Sequence, residues 1–310
     1  MTRRASLALG VDIGSARTRV ALVERDAAGR PRLVAVAARA TGDDASGAIG
    51  AARAELGTRE RRCVLGLGSA DTLIRAAAFP AMRGSERRRA AHFEAARFVP
   101  YPLDEAAVRV VSTGDRCAIG VARKTALQAR LNAAKGAGLR PIAVDDVAFA
   151  LLRAFADADA IVDIGATATA LVVADDPLPV TRSVGIGGRA FTAAVVASLG
   201  IDEALAEARK RSVGLAGAGE YARAALVEQI ASALIEHRAS GRSPMRGIAL
   251  TGNGARLSGL AEALERALGL PVRLAALPAD ASDALPADVV RAASPDWGLA
   301  YGLALWETAA

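Results

Sequence analysis

The chain has 310 residues, 52% of them hydrophobic but only 4% aromatic, so its core must be built from Ala, Val and Leu, and it is long enough to form two lobes. A net charge of +6 is scattered along it; only Arg59-Arg61-Arg62 and Arg87-Arg88-Arg89 cluster, without interleaved aromatics, which reads as a solvated basic face rather than a nucleic-acid groove. No apolar run approaches the roughly 20 residues of a membrane span, and Asp12 ends the stretch after Leu7 too soon for a signal peptide, so a cytoplasmic protein is expected.

Residues 11–23 predict a short apolar strand, a glycine turn and a second apolar strand, a β-hairpin around Asp12-Ile13-Gly14-Ser15-Ala16. A strand over 32–38, an Ala-rich helix over 44–56 and a strand over 63–67 follow, and 73–79 reads as the exit from the first lobe at Pro80. Residues 81–143 read as a module of their own. A helix starts at Ser85 and is stopped by Pro100 and Pro102, a hairpin turns at Thr113-Gly114-Asp115, a helix over 125–137 closes at Gly138, and a strand follows. An apolar helix over 148–155 leads to a second hairpin, in which Val162-Asp163-Ile164-Gly165-Ala166-Thr167-Ala168-Thr169 repeats the first in residue type.

The repeat decides how these turns are read. Glycine can take φ > 0, so the N–H groups of each turn can converge on one spot and form an anion nest, with Ser15 and Ala16 in one copy and Ala166, Thr167 and Thr169 in the other. Asp12 and Asp163 end apolar strands, where an unpaired carboxylate is costly, and two such acids suit the water shell of a Mg²⁺ that bridges phosphates. One such hairpin is merely a turn. Two, one in each half-chain, imply a pseudo-symmetric fold with a cleft between the copies.

Beyond the second hairpin come a strand over 181–184, a glycine turn at 185–188 and a helix over 190–199. The next helix starts at Asp202 and carries Glu207 and Lys210 one turn apart on one face, and an amphipathic helix covers 222–238. A buried strand runs into Gly252-Asn253-Gly254, where the backbone can approach a flat ring, and a helix to residue 267 follows with Gly269 beyond it. An edge-like strand over 271–274, a loop over 275–287 and a small-residue helix over 296–305 complete the chain. Cys63 and Cys117 lie in strand-like runs and read as reduced core thiols; His92 and His237 read as ordinary helix residues, so no metal site is expected from Cys or His.

The two hairpins resemble the phosphate-1 and phosphate-2 loops of the superfamily of actin, heat-shock chaperones and sugar kinases, and Gly252-Asn253-Gly254 resembles its adenosine motif. Three further stretches resemble PilM proteins of type IV pilus assembly: Phe98-Val99-Pro100-Tyr101-Pro102-Leu103-Asp104-Glu105, then Gly120-Val121-Ala122-Arg123-Lys124, then Ala137-Gly138-Leu139-Arg140-Pro141 with Val144-Asp145. The resemblance implies an α/β, actin-like ATPase fold: two ribonuclease H-like lobes with an FtsA-type 1C subdomain inserted in the first. Its expected divisions are 1–80 (first lobe), 81–143 (subdomain 1C), 144–160 (first lobe and hinge helix), 161–295 (second lobe) and 296–310 (returning hinge helix).

It also implies ATP with Mg²⁺, the phosphates held by Asp12, Gly14, Ser15, Ala16, Gly165, Ala166, Thr167 and Thr169, and the ribose and adenine by Glu207, Lys210, Gly252, Asn253 and Gly254. Asp12 and Asp163 would hold the metal through water. The implied partner is the N-terminal cytoplasmic tail of a PilN-like inner-membrane protein, with Phe93, Phe98, Tyr101 and Leu103 as groove residues, and pilus motor ATPases as further contacts. An adaptor with little hydrolysis, peripheral at the inner membrane through its partners, is therefore expected. The alternatives are a small-molecule kinase and an FtsA-like filament, and the latter is disfavoured because no basic amphipathic tail is read at the chain end.

Overall fold

The computed structural model describes residues 6–113, 116–176, 178–215, 217–240, 245–277 and 295–306. The turn at Gly114 and Asp115, and most of the loop read over 275–287, lie outside these. The first lobe is built on β1 (Ser6–Ile13), β2 (Arg17–Arg25), β3 (Pro31–Ala40), β4 (Arg62–Leu67) and β8 (Arg140–Asp146), in the order β3-β2-β1-β4-β8. The first three form an antiparallel meander and the last two add in parallel. The second lobe repeats this plan with β9 (Ala160–Ile164), β10 (Thr169–Val173), β11 (Val180–Val184), β12 (Ile248–Thr251) and β13 (Val272–Leu274), in the order β11-β10-β9-β12-β13. The duplication read in two hairpins thus extends to two whole sheets.

Helices close each sheet where apolar residues recur at helical spacing. In the first lobe α1 (Ala45–Glu55), capped by the Asp44 carboxylate on the Gly47 N–H, buries Ile49 and Ala52 against Leu9, Val11 and Val20. In the second, α5 (Gly188–Leu199), α6 (Glu203–Val213), α7 (Glu220–Ala239) and α8 (Leu260–Leu268) enclose a core that includes Phe191, Leu226, Ile230 and Leu264. Asp202 caps α6 through the Leu205 N–H, and Gly269, at φ +63°, ends α8 in the left-handed region. Cys63 and Cys117 are buried and form no disulfide, and His92 and His237 lie in helices, as the sequence reading expects.

The inserted region is organised differently from the expected module. Its small sheet has the order β5-β7-β6 and consists of β5 (Thr72–Ala78), β6 (Ala106–Thr113) and β7 (Arg116–Arg123), so the segment read as the exit from the first lobe is one of its edges. α2 (Gly84–Ala95) covers one face of this sheet through Ala91 and Ala95. The helix and strand at the end of the expected module belong to the first lobe: α3 (Lys124–Gly136) buries Ala134 in that lobe's core, and β8 pairs with β4. The physical reason is the strand edge beside β4, which is filled only when the chain returns from the insertion.

Two helices join the lobes. α4 (Val147–Ala154) and α9 (Gly298–Ala304) cross beneath both sheets in a shared core of Ala21 and Val23 from the first lobe, Ile161, Val172 and Ala249 from the second, and Phe155, Trp297 and Tyr301 between them. Their approach is set by glycine. A Cβ on Gly302 would lie 1.9 Å from the Ala150 carbonyl oxygen, one on Gly10 1.9 Å from that of Ala300, and one on Gly298 2.2 Å from the Phe155 ring. Gly302→Val should therefore force α9 off α4 at a cost of about 1–3 kcal/mol or more, lowering the melting temperature by several degrees. Gly50→Ala, in α1 with open space around its Cβ, should leave it unchanged or slightly raised. Circular dichroism melting of the two variants against the parent checks both.

Candidate functional site

The hairpin tips of the two sheets face one another across a cleft of about 630 Å³. Each tip has the same internal construction. The Gly14 N–H donates to the Arg17 carbonyl oxygen at 3.1 Å, and the Gly165 N–H to that of Ala168 at 3.0 Å. The sequence reading gives these glycines a left-handed role, but neither has positive φ. Glycine is needed for space instead, because a Cβ would lie 2.8 Å from the Arg17 oxygen or 2.9 Å from the Ala168 oxygen. Ser15 Oγ and Thr167 Oγ1 meet at 3.3 Å, so the two tips touch across the chain's pseudo-symmetry.

Neighbouring segments brace the tips. Thr41 Oγ1 donates to the Gly14 carbonyl oxygen at 2.7 Å and pairs with buried Thr18. In the second copy the N–H groups of Gly188 and Arg189, opening α5, donate to the carbonyl oxygens of Gly165 and Ala166 at 2.9 and 2.7 Å. Gly187 packs flat on this turn, since a Cβ there would lie 2.7 Å from the Gly165 oxygen. Thr169, expected beside the phosphates, is fully buried, does not line the cleft and donates to the Ile186 carbonyl oxygen at 2.7 Å. A threonine at the first residue of this buried strand points its hydroxyl to the backbone that braces the turn, whereas in the first copy Thr18 reaches the turn through the Thr41 hydroxyl.

The other expected residues do line the cleft: Asp12, Gly14, Ser15, Ala16, Asp163, Gly165, Ala166, Thr167, Glu207, Lys210, Gly252, Asn253 and Gly254. Gly252, at φ +80°, is the left-handed residue of the loop after β12, and Asn253 opens a 3-10 turn over Asn253–Arg256. Side chains on Gly252 and Gly254 would strike Asp163 and Ile164 respectively, so this loop lies directly on β9. On the opposite wall Lys210 Nζ donates to Thr192 Oγ1 at 2.7 Å and to the Gly188 carbonyl oxygen at 3.0 Å, while Thr192 Oγ1 donates to Glu207 Oε2 at 2.6 Å. Burial pushes the Glu207 carboxyl up, but hydrogen bonds from Lys210, Thr192 and Arg211 outweigh it and bring it to about 2. The pair is therefore a fixed charged wall, not a loose surface bridge.

The paired aspartates are unequal. In the first hairpin Asp12 stands opposite Arg19 in the strand register, and the two side chains form an ion pair of 3.5 Å, both largely buried. In the second, Asp163 stands opposite Ala170 and has no cation across the strand. Burial raises Asp12, with Arg19 and Arg130 acting against it. Burial also raises Asp163, to about 7, with the Asp12 charge adding to the rise and Arg19 opposing it. Asp296 approaches from the turn before α9 and pairs with Arg256 at 3.5 Å. Nothing local in the sequence marks Arg256 or Asp296 as cleft residues, Arg19 is signalled only by its alternation after the turn, and Asp296 reaches the cleft because α9 returns to the hinge.

Phe93, Phe98, Tyr101 and Leu103, the expected groove residues, divide between two environments. Phe98, Tyr101 and Leu103 pack against the core of the small sheet, with the Arg75 guanidinium 4.9 Å from the Phe98 ring centre and that of Arg123 3.9 Å from the Tyr101 ring centre. Phe93 is 73% exposed.

The Asp163 shift has a stability consequence. Its folded pKa lies above the ordinary value of 3.8, so its ionisation opposes folding: the penalty is absent below about pH 4 and complete above about pH 7. Asp163→Asn should therefore raise the melting temperature of the ligand-free protein relative to the parent, with a gain larger at pH 8 than at pH 5. A difference independent of pH in thermal melts would overturn this assignment.

The family profile described as "Type IV pilus assembly protein PilM" matches residues 10–308. No curated protein sequence matches the chain. Among solved structures, a chain of a PilM-PilN type IV pilus biogenesis complex superposes with a TM-score of 0.83 at 28% identity, over 96% of this chain and 97% of that one. The ethanolamine utilization protein EutJ from Carboxydothermus hydrogenoformans gives 0.60 at 18% identity over 97% and 90%, and a glycerol dehydratase reactivase 0.54 at 12% over 96% and 99%; these two are similar in fold alone. The two-lobed α/β architecture is that of the actin-like ATPases, and the chain belongs to the PilM family of type IV pilus assembly proteins.

Proposed function

We propose that this protein is an ATP-binding adaptor of a type IV pilus assembly platform, in which the nucleotide ties the two lobes together. The observation that carries this reading is the pair of matched hairpin tips meeting at Ser15 and Thr167 above two buried aspartates. Backbone N–H groups and hydroxyls at both tips suit phosphate oxygens, while Gly252, Asn253 and Gly254 with the Glu207 and Lys210 wall suit the ribose and adenine. Two largely buried carboxylates, the charge of Asp12 raising the proton affinity of Asp163, with Arg19 as their shared compensation, are a donor set that a divalent cation relieves. Among the described residues no three His, Cys, Asp or Glu side chains gather as a ligand cluster, so Mg²⁺ would be held through water and phosphate beside Asp12 and Asp163. The ion would supply charge neutralisation for the phosphates.

Hydrolysis is expected to be slow. Glu207 is held by Lys210, Thr192 and Arg211, Asp12 by Arg19 and Asp296 by Arg256, and Asp163 is assigned to the water shell of the metal, so these cleft carboxylates are committed to partners rather than to an attacking water. The match to a chain from a PilM-PilN complex supports a PilN-like protein as partner, whose N-terminal tail would dock at the inserted subdomain around Phe93, Phe98, Tyr101 and Leu103. No helix among the described residues is long and apolar enough to cross a membrane, in keeping with attachment to the inner membrane through that partner.

Titration calorimetry with Mg-ATP tests the nucleotide reading. Saturable heat in the parent should fall at least tenfold in affinity with Asp12→Ala. No heat at millimolar Mg-ATP from a protein that melts cooperatively would sink the clamp, and would leave a scaffold whose function lies in its partner surfaces.

A further inference from the structure

A second groove, about 640 Å³, opens on the inserted subdomain between α2 and β6. Its walls join Arg88, Arg89 and Phe93 of α2 to Val108, Arg109 and Val110 of β6. β6 is an edge strand: among the described residues it pairs only with β7, so its other side offers main-chain donors and acceptors to a further strand. Among the described residues Arg88, Arg89 and Arg109 form no ion pair, and Arg109 donates only to the Val108 carbonyl oxygen. Phe93 is 73% exposed and Val111, next along the edge, 63%.

We infer that this groove docks an extended acidic segment of a partner polypeptide, which adds to the small sheet beside β6. The open strand edge supplies backbone pairing, the three guanidiniums select carboxylates, and Phe93 and Val110 receive an apolar side chain at alternate positions of the added strand. A concave site along a strand edge fits one extended chain, whereas a flat lipid surface would meet α2 alone. The groove excludes Phe98, Tyr101 and Leu103 and shares only Phe93 with the surface proposed above for a PilN-like tail, so it is a separate docking site on the same subdomain.

The test uses the full chain and a fluorescein-labelled ten-residue probe alternating Glu with Leu or Val, read by anisotropy. Three comparison arms accompany it: the same probe with Lys for Glu, the same probe with Pro at alternate positions, and phosphatidylglycerol-containing vesicles. Saturable binding of the acidic probe is expected, weakening with salt and falling at least tenfold with the proline probe and with the double variant Arg88→Glu, Arg89→Glu. Both arginines are exposed, and an unchanged melting curve would show that the variant folds, independently of whether nucleotide binds. Equal binding of the Lys probe, indifference to the double variant, absence of probe binding, or binding of vesicles without the probe would each overturn the inference.

Discussion

The crossing of α9 over α4 and β1 is the contact on which the rest of the molecule depends. Three glycines, Gly10, Gly298 and Gly302, remove the side chains that would otherwise hold these backbones apart, and the core beneath the cleft closes around Phe155, Trp297 and Tyr301. Each lobe has its own core as well. What the crossing adds is relative position: it sets the two sheets so that their hairpin tips meet, and a shift of an ångström there would separate Ser15 from Thr167. Close packing transmits such shifts with little loss, because side chains already fill the space into which a helix would move.

The symmetric frame carries an asymmetric charge. Both sheets bring an aspartate to the same place at the strand end, but the residue opposite is Arg19 in one copy and Ala170 in the other. The first aspartate therefore has a cation within its own hairpin, against the burial that raises it, and the second has none. Burial and the Asp12 charge hold Asp163 near 7, so in the ligand-free protein this carboxylate exchanges its proton around neutral pH. A cation or a bound group that discharges it gains that free energy on binding, which couples ligand binding to the state of the cleft.

The inserted subdomain stands apart from this machinery. Its sheet has a short core of Ala91, Ala95, Ala106, Ile119 and Val121, rimmed by Phe98, Tyr101 and Leu103, and leaves both an exposed aromatic and an open strand edge on its outer side. An element with a modest core and unspent backbone groups is suited to bind rather than to support. Its tie to the first lobe runs through α3 and β8, which leave the insertion and fill the space beside α1 and β4. A partner on this subdomain is thereby linked to the lobe that carries Asp12.

The duplication, the hairpins with their acids and glycines, most helices and strands, and the family are legible in the amino-acid order alone, because these are local patterns: strand alternation, caps at Asp44 and Asp202, and a turn repeated at a distance of about half the chain. Most of the hairpin residues that face the cleft were legible too, but Thr169 does not face it and Arg17, Arg19 and Ala168 do. What the amino-acid order left to the tertiary structure were matters of pairing. That β5 joins the small sheet while α3 and β8 return to the first lobe depends on which strand edge each finds open, and that edge is made by residues far away in the chain. That Gly14 and Gly165 are needed for space rather than for a left-handed turn depends on a carbonyl three residues on, fixed only once the hairpin closes. The unequal aspartates and the arrival of Asp296 and Arg256 likewise follow from cross-strand register and from the return of α9, because electrostatics is decided by distance in space and not by spacing in sequence.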